Sequence, residues 1–247
     1  MINSSEINIP QIYDSPELAK KFFIENGYHI ERNHFDKLFC KQIINSVTSN
    51  QNYKNNIYSP LMMPHRENEI ILKAMKNEKL VRYMDLFIGD NINKVCGLQS
   101  EFFFGSPGTR GFSMHQDSFY TEPSIPSAFG SAWIPMVDID EDMGNLVIYS
   151  KSHLKGKLPV RKLSLEKDPN QDPNANNEET DINKNDFEQI MIREKLGSII
   201  FIHGDLIHSS KKNNTNKFRF VLLLTYIRSN CEFRPGNNAK RKLINLS

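Results

Sequence analysis

Apolar and polar residues follow a helical period through the first third of the chain. Ser15 and Pro16 are typical of a helix N-cap followed by proline at the first helical position. Gly27 should end this helix, and residues 28–30 read as a short strand. Further apolar stripes at helical spacing predict helices over residues 36–47, 67–75 and 78–88. We expect these helices to pack on the outside of a sheet.

The pattern changes to short apolar or alternating runs at about residue 95. Clusters of Gly, Pro and Asn separate the runs, which is typical of a sandwich or barrel and not of alternating βαβ units. The pattern predicts a mainly β fold with flanking helices. We expect one domain over residues 1–247, with a helical part at about 15–90 and a jelly-roll core at about 95–228. The runs that read as strands span residues 95–104, 112–114, 128–138, 146–149, 189–193, 198–202 and 218–226.

A polar insertion interrupts the strand pattern over about residues 161–186. Its centre is rich in Asp, Asn and Pro and has almost no apolar side chain to bury. We therefore expect a surface loop. Two interpretations stay open, an insertion that the fold tolerates and a lid over a substrate pocket, because long loops in compact domains are often functional.

The composition allows a substantial core and gives no sign of a polyanionic partner. The 247 residues are 38% hydrophobic and 10% aromatic, with a formal net charge of +2. This balance offers no electrostatic case for nucleic acid or an anionic membrane as the main partner. No stretch has the length of a transmembrane helix, and residues 1–10 are polar, unlike a signal peptide. Cys40, Cys96 and Cys231 are far apart and odd in number, so they predict no disulfide framework and a cytoplasmic protein.

The first candidate for chemistry is the pair His115 and Asp117, which follows the apolar run at residues 99–104. On an extended strand, side chains two residues apart point to the same face. One strand end could therefore present an imidazole nitrogen and a carboxylate oxygen to one point. These are two of the three ligands of the 2-His-1-carboxylate triad that holds Fe(II) and leaves coordination positions open.

Two downstream histidines compete for the third position. His203 ends an apolar strand, and His208 follows the turn at residues 204–205. Arg219 comes eleven residues after His208, at the start of another apolar strand. A buried arginine needs a partner, and its planar fork suits a carboxylate such as that of a dicarboxylic co-substrate. A structural salt bridge is the alternative role for Arg219.

Six segments carry a family resemblance through their order and spacing. Together they resemble the phytanoyl-CoA dioxygenase family of Fe(II)- and 2-oxoglutarate-dependent oxygenases, over roughly residues 18–226. The segments are residues 22–30, 114–117, 132–138, 142–146, 150–153 and 204–219.

The resemblance implies a fold and a ligand set. The family fold is a double-stranded β-helix, a cupin-like jelly roll closed by helices. By position in the family motifs, His115, Asp117 and His208 would bind Fe(II). Arg219 would bind the distal carboxylate of 2-oxoglutarate, and Trp133 would line the co-substrate pocket or serve as a core aromatic.

Other contacts in the site are less determined by the sequence. Gln99 and Thr109 are candidates for a second 2-oxoglutarate contact. Tyr120, Ser118 and Phe103 are candidates for contact with the substrate. We expect a small-molecule substrate, such as an amino acid derivative or a natural-product intermediate, with a CoA- or carrier-protein-linked substrate as the next option.

The expected reaction is hydroxylation with Fe(II), 2-oxoglutarate and O2, releasing succinate and CO2. Desaturation, epoxidation and cyclisation use the same ligands and stay open. Two other classes also stay open. One is a non-catalytic cupin-like binding module, and the other is a zinc-dependent hydrolase, because zinc also accepts three protein ligands plus water.

Overall fold

The structure is a computed structural model that describes residues 1–48, 60–163 and 178–246. The helices in these ranges are α1 (Pro16–Asn26), α2 (Lys37–Val47), α3 (Glu69–Met75), α4 (Glu78–Ile88) and α5 (Ser118–Thr121). The strands are β1 (Ile2–Asn3), β2 (Tyr28–Glu31), β3 (Leu61–Met62), β4 (Val95–Gly105), β5 (Phe129–Pro135), β6 (Leu146–Tyr149), β7 (Val160–Lys162), β8 (Glu178–Thr180), β9 (Gln189–Met191), β10 (Ile199–His203), β11 (His208–Ser210) and β12 (Arg219–Arg228).

The helices before residue 90 confirm the pattern seen in the sequence. Gly27 ends α1 in the left-handed conformation with φ of 80°, and its N–H donates to the carbonyl of Phe23 at 2.7 Å. Side chains cap the next three helices at their N-termini. Asp36 caps α2, Asn68 caps α3 and Asn77 caps α4, each accepting a hydrogen bond from a backbone N–H one turn into the helix. The cap at Asn68 places the start of α3 two residues later than the apolar pattern predicts.

The strands form two main sheets. A six-stranded sheet has the order β2-β10-β5-β12-β4-β3, and a four-stranded sheet has the order β1-β9-β6-β11. The neighbours in the larger sheet are antiparallel, and β1 pairs with β9 in parallel. These two sheets form a double-stranded β-helix, so the fold is mainly β, as predicted.

Alternation along the strands gives the larger sheet two apolar faces. In β10, Ile199 and Phe201 pack with the helices, whereas Ile200 and Ile202 pack with residues of the smaller sheet such as Ile148. Burying each of these side chains contributes about 1.5–3 kcal/mol. The helices therefore cover one face of the larger sheet, and its other face lines the space between the sheets.

The insertion at residues 161–186 is only partly a loop. Its two ends pair as the hairpin β7–β8, with Val160 opposite Thr180. The N–H of Thr180 donates to the carbonyl of Met114 at 2.7 Å, which ties the hairpin to the segment just before His115. Residues 164–177, on which the lid interpretation depends, lie outside the described residues.

None of the described helices combines the length and the apolar content needed to cross a membrane.

Candidate metal centre and its cavity

Backbone pairing brings His115 and His208 together. The N–H of His115 donates to the carbonyl of His208 at 2.9 Å, and the N–H of His208 donates back at 3.0 Å. The two imidazole rings lie with centroids 4.2 Å apart. A residue at the end of a loop and the first residue of β11 therefore form one side of the site.

Asp117 reaches the site in a way that the sequence did not predict. The prediction of a strand at residues 112–114 is wrong, because these residues form no regular strand and His115 makes only an isolated bridge. Asp117 has helical dihedrals, with φ of −62° and ψ of −32°, and precedes α5. The N–H of Ser118 donates to the carbonyl of Gly204 at 3.0 Å, which anchors this turn beside β11. A turn, and not a shared strand face, aims the carboxylate.

Three potential ligand atoms converge at this point. Oδ1 of Asp117 lies 3.9 Å from Nε2 of His115 and 3.6 Å from Nε2 of His208. Ligand atoms of the three residues all lie within 4.8 Å of one another. This spacing and this donor set fit the 2-His-1-carboxylate site of Fe(II), and a three-ligand zinc site has the same donors.

Hydrogen bonds orient the two candidate histidine ligands. Nδ1 of His115 lies 2.7 Å from the carbonyl of Ser113, and Nδ1 of His208 lies 3.0 Å from the carbonyl of Leu206. Because a carbonyl only accepts, each Nδ1 carries the proton and each Nε2 keeps its lone pair for a metal. Burial, together with the neighbouring His208, lowers the pKa of His115 to about 4. The imidazole is therefore in its neutral, metal-binding form at neutral pH.

The carboxylate of Asp117 is held at its other oxygen. Oγ of Ser131, on β5, donates to Oδ2 of Asp117 at 2.8 Å. This bond leaves Oδ1 directed to the two histidines. Ser131 escaped the sequence analysis because it lies in a different strand from every ligand, and no local pattern marks it.

The structure separates the two histidines that the residues alone left open. Nδ1 of His203 accepts a hydrogen bond from the N–H of Asp205 at 3.1 Å. Its ring lies 5.0 Å from that of His153, away from the triad. The structure thus places His208, and not His203, beside His115.

A cavity of about 410 Å³ opens at the metal centre. Its volume lies near the lower end of the roughly 300–1,000 Å³ of small-molecule sites. The three candidate ligands line this cavity together with most of the other predicted site residues. The latter are Gln99, Phe103, Tyr120, Trp133 and Arg219.

Arg219 lies at the start of β12, opposite Gly105 of β4. It is 5% exposed, and its Nη1 donates to the carbonyl of Gly144. Gly105 leaves space for the guanidinium because it has no side chain: a Cβ atom at residue 105 would lie only 3.1 Å from Nε of Arg219. A buried guanidinium on a cavity shared with a metal site suits the carboxylate of a chelating keto acid.

Two predicted site residues do not line the cavity. Thr109 is buried, and its hydroxyl donates to the carbonyl of Ser106 at 2.5 Å. Ser118 is buried, and its hydroxyl donates to the carboxylate of Asp205. The Thr109 hydroxyl therefore holds its own turn and the Ser118 hydroxyl joins two distant segments, and neither side chain lines the cavity.

The cavity also contains two charged residues that the sequence analysis missed. Glu101 alternates with Gln99 and Phe103 on the inner face of β4, so the strand period could have placed it there. Burial, with the negative charge of Asp117 nearby, raises the pKa of Glu101 to about 7. Arg241 comes from the C-terminal segment, and no local pattern predicts its return to this cavity.

Known proteins are similar to this chain over most of its length. The family described as Phytanoyl-CoA dioxygenase (PhyH) matches residues 25–221. The peroxisomal phytanoyl-CoA dioxygenase of Bos taurus is 24% identical over 243 residues, which cover 87% of this chain and 69% of that protein. Phytanoyl-CoA dioxygenase 1 of Oryza sativa subsp. japonica is 32% identical over 162 residues, which cover 64% of this chain and 54% of that protein. The chain thus spans between about half and two thirds of the length of these curated relatives.

Several solved structures have a similar fold, among them the carbocyclase SnoK from nogalamycin biosynthesis, with a TM-score of 0.72 at 13% identity over 97% of this chain and 100% of that chain. The epimerase SnoN, in complex with Fe3+, alpha ketoglutarate and nogalamycin RO, matches with a TM-score of 0.68 at 14% identity. The match covers 87% of this chain and 84% of that chain. The likeness concerns the fold, and it agrees with the mainly β architecture described above.

Proposed function

Because the chain belongs to the phytanoyl-CoA dioxygenase family, we propose that it is a non-haem Fe(II)/2-oxoglutarate-dependent dioxygenase that hydroxylates a small molecule. In this reaction 2-oxoglutarate and O2 yield succinate and CO2, and one oxygen atom enters a C–H bond of the substrate. Fe(II), 2-oxoglutarate and O2 are the cofactors of such a site. The donor set of the triad supports them, and SnoN holds iron and alpha ketoglutarate on a similar fold.

The observation that carries the proposal is that the ligand triad and Arg219 line one cavity. Nε2 of His115, Nε2 of His208 and Oδ1 of Asp117 would hold the metal. Bound iron supplies the oxidation chemistry. Arg219 would hold the distal carboxylate of 2-oxoglutarate, which fixes the direction from which the keto acid approaches the metal.

The substrate would occupy the rest of the cavity. Phe103 and Tyr120 line it and would contact the substrate there. A cavity of about 410 Å³ that also accommodates 2-oxoglutarate favours a compact substrate over an enclosed CoA thioester. Hydroxylation is the proposed outcome, and product analysis separates it from desaturation, epoxidation and cyclisation.

Anaerobic titration with Fe(II) and 2-oxoglutarate tests the site before any substrate is known. Chelation of the keto acid to iron should produce a weak visible charge-transfer band. Trp133, the one tryptophan of the chain, lines the cavity, so its fluorescence should change in parallel. Arg219→Met should weaken 2-oxoglutarate binding by about tenfold or more, because it removes a charge-assisted hydrogen-bond donor.

Arg228→Met is the matched control, since Arg228 ends the same strand β12 and pairs with Asp90 at 3.3 Å. It should keep the band at the same 2-oxoglutarate concentrations. A protein that binds Zn²⁺ but gives no band with Fe(II) and 2-oxoglutarate would support the zinc hydrolase. A protein that binds neither metal would support the binding module.

The cytoplasmic location predicted from the cysteines remains a prediction. All three cysteines are free thiols, which fits a reducing compartment. The bovine relative is described as a peroxisomal protein.

A further inference from the structure

Opposite charges from two distant parts of the chain meet in the cavity beside the metal centre. Glu101 comes from β4 and Arg241 from the C-terminal segment, and both line the cavity. Gln99 lies between them. Its Nε2 donates to Oε1 of Glu101, and its Oε1 accepts from Nε of Arg241 at 2.5 Å. One amide therefore connects the two charges, which make no direct ion pair in the described structure.

Glu101 has capacity for a further donor. Among the described residues, its hydrogen bond comes from Gln99 alone, and Oε2 has no donor. A carboxylate that is partly removed from water is unfavourable unless it is paired. A cationic group of a ligand would supply the missing partner.

Arg241 has the complementary property. Its Nη1 donates to the carbonyls of Tyr120 at 3.3 Å and Arg234 at 3.2 Å, so the guanidinium is held in place. Within the described ranges, Nη2 has no acceptor and no carboxylate lies at ion-pair distance. A positioned guanidinium with open N–H groups on a cavity suits a carboxylate ligand.

We propose that the substrate is a zwitterion of the amino acid type, whose ammonium group binds Glu101 and whose carboxylate binds Arg241. Glu101 and Arg241 together then bind a ligand of no net charge, and Gln99, which bonds to both, sets the spacing of the two subsites. Apolar side chains on the same cavity, among them Phe103 and Leu223, would contact the side chain that extends to the metal. This inference rests on the proposed oxygenase function, because it takes the cavity as the substrate site.

The test uses the protein loaded with Fe(II) and 2-oxoglutarate. The twenty common L-amino acids are added singly, and two signals are recorded: a change in the charge-transfer band without O2, and succinate formation with O2. We expect at least one amino acid with an apolar side chain to produce both signals. Its N-acetyl derivative, which lacks the ammonium group, and its amide, which lacks the carboxylate, should bind about tenfold more weakly or worse.

Two variants assign the subsites. The Glu101→Gln variant should bind the active amino acid about tenfold more weakly or worse. Its affinity for the N-acetyl derivative should equal that of the native protein. The Arg241→Gln variant should bind the amino acid more weakly, whereas its affinity for the amide should equal that of the native protein. Arg234→Gln is the matched control, because Arg234 also donates to the carbonyl of Tyr120 but does not line the cavity.

The result separates this inference from the proposed function. A charge-transfer band without any response to the amino acids would overturn the zwitterion and leave the oxygenase intact. Equal binding of an amino acid and its two derivatives would do the same, as would activity with an acyl-CoA alone. If Arg241→Gln weakens the binding of 2-oxoglutarate and not that of the amino acid, Arg241 is part of the co-substrate site and the assignment fails. Absence of the band in the native protein is a failure of the proposed function itself.

Discussion

Gly111 lies so close to the main chain of Ser210 that a Cβ atom at residue 111 would be 1.9 Å from the Ser210 carbonyl oxygen. This contact lets the following segment pair with β11. The N–H of Ser210 donates to the carbonyl of Phe112 at 2.9 Å, and the pairing continues to His115 and His208. Close approach of two backbones is the reason for glycine at this position.

Replacing Gly111 should therefore damage the metal centre. Gly111→Ala should destabilise the protein by about 1–3 kcal/mol through overpacking, and it should weaken Fe(II) binding because His115 moves away from His208. Gly108→Ala is the control, since Gly108 has a positive φ of 80° but open space around its Cβ position. It should cost about 1–2 kcal/mol of stability through strain and leave metal affinity unchanged. Equal metal affinity in both variants would contradict the role of the Gly111 contact.

The two downstream histidines should differ in metal binding. His208→Ala should reduce Fe(II) affinity by more than the roughly 10–100-fold that an outer-shell partner is worth, because it removes a ligand. His203→Ala, at a histidine beside His153 and outside the triad, should keep the affinity. Anaerobic metal titration of both variants checks this. Loss of iron in the His203 variant alone would assign the third ligand to His203.

Ser131 should act on the metal through Asp117. Ser131→Ala removes the hydrogen bond to Oδ2, so the carboxylate loses its orientation and Fe(II) affinity should fall by about 10–100-fold. Ser198→Ala is the matched control, because Ser198 is a buried serine whose hydroxyl has no partner in the described part of the chain. Unchanged affinity in the Ser131 variant would show that the turn at Asp117 needs no such support.

Buried histidines should make the metal-free protein sensitive to acid. Burial lowers the pKa of His29 from 6.5 to about 4, and the pKa values of His34, His65 and His203 fall in the same way. The unfolded chain takes up these protons below pH 6.5, whereas the folded chain does not until about pH 4. The free energy of unfolding should therefore fall as the pH drops through this window, by about 3 kcal/mol for His29 alone.

Urea unfolding with a chelator present, at several pH values between 7.5 and 4, measures this effect. His29→Gln should reduce the slope of stability against pH, because the variant has one buried imidazole fewer. A protein that keeps its full stability down to pH 4 would contradict the burial of these histidines.

The regular elements were predictable because their signals are local. Pro16 and Gly27 mark the two ends of α1 through their own backbone preferences, and short apolar runs between turn residues marked the long strands β4, β5, β10 and β12. Alternation along β4 separates Phe103, on the cavity, from Phe102 and Phe104, which pack with the helices. Of the strands of two or three residues, β9 was predicted, whereas others such as β1 and β11 were missed because so short a run has no clear period to detect.

The candidate site was only partly predictable from such local signals. His115 and Asp117 were grouped by a strand argument, yet a bridge and a turn bring them together. Thr109 and Ser118 looked like site residues by proximity in sequence, but the Thr109 hydroxyl bonds to Ser106 in its own turn and the Ser118 hydroxyl bonds to the distant Asp205. A hydroxyl side chain near a motif can bond to a local or a distant acceptor, so sequence position alone does not direct it to a cavity.

The sequence by itself determined the family, the helix and strand pattern and the types of residue available for chemistry. Tertiary structure decided which of these residues meet. His208 reaches His115 through backbone pairing with a segment far away in the chain, and Gln99 meets Arg241 across 142 positions. Periodicity and capping report contacts within a few residues, whereas a cavity is formed by strands and a C-terminal segment whose closeness depends on the packing of the whole fold.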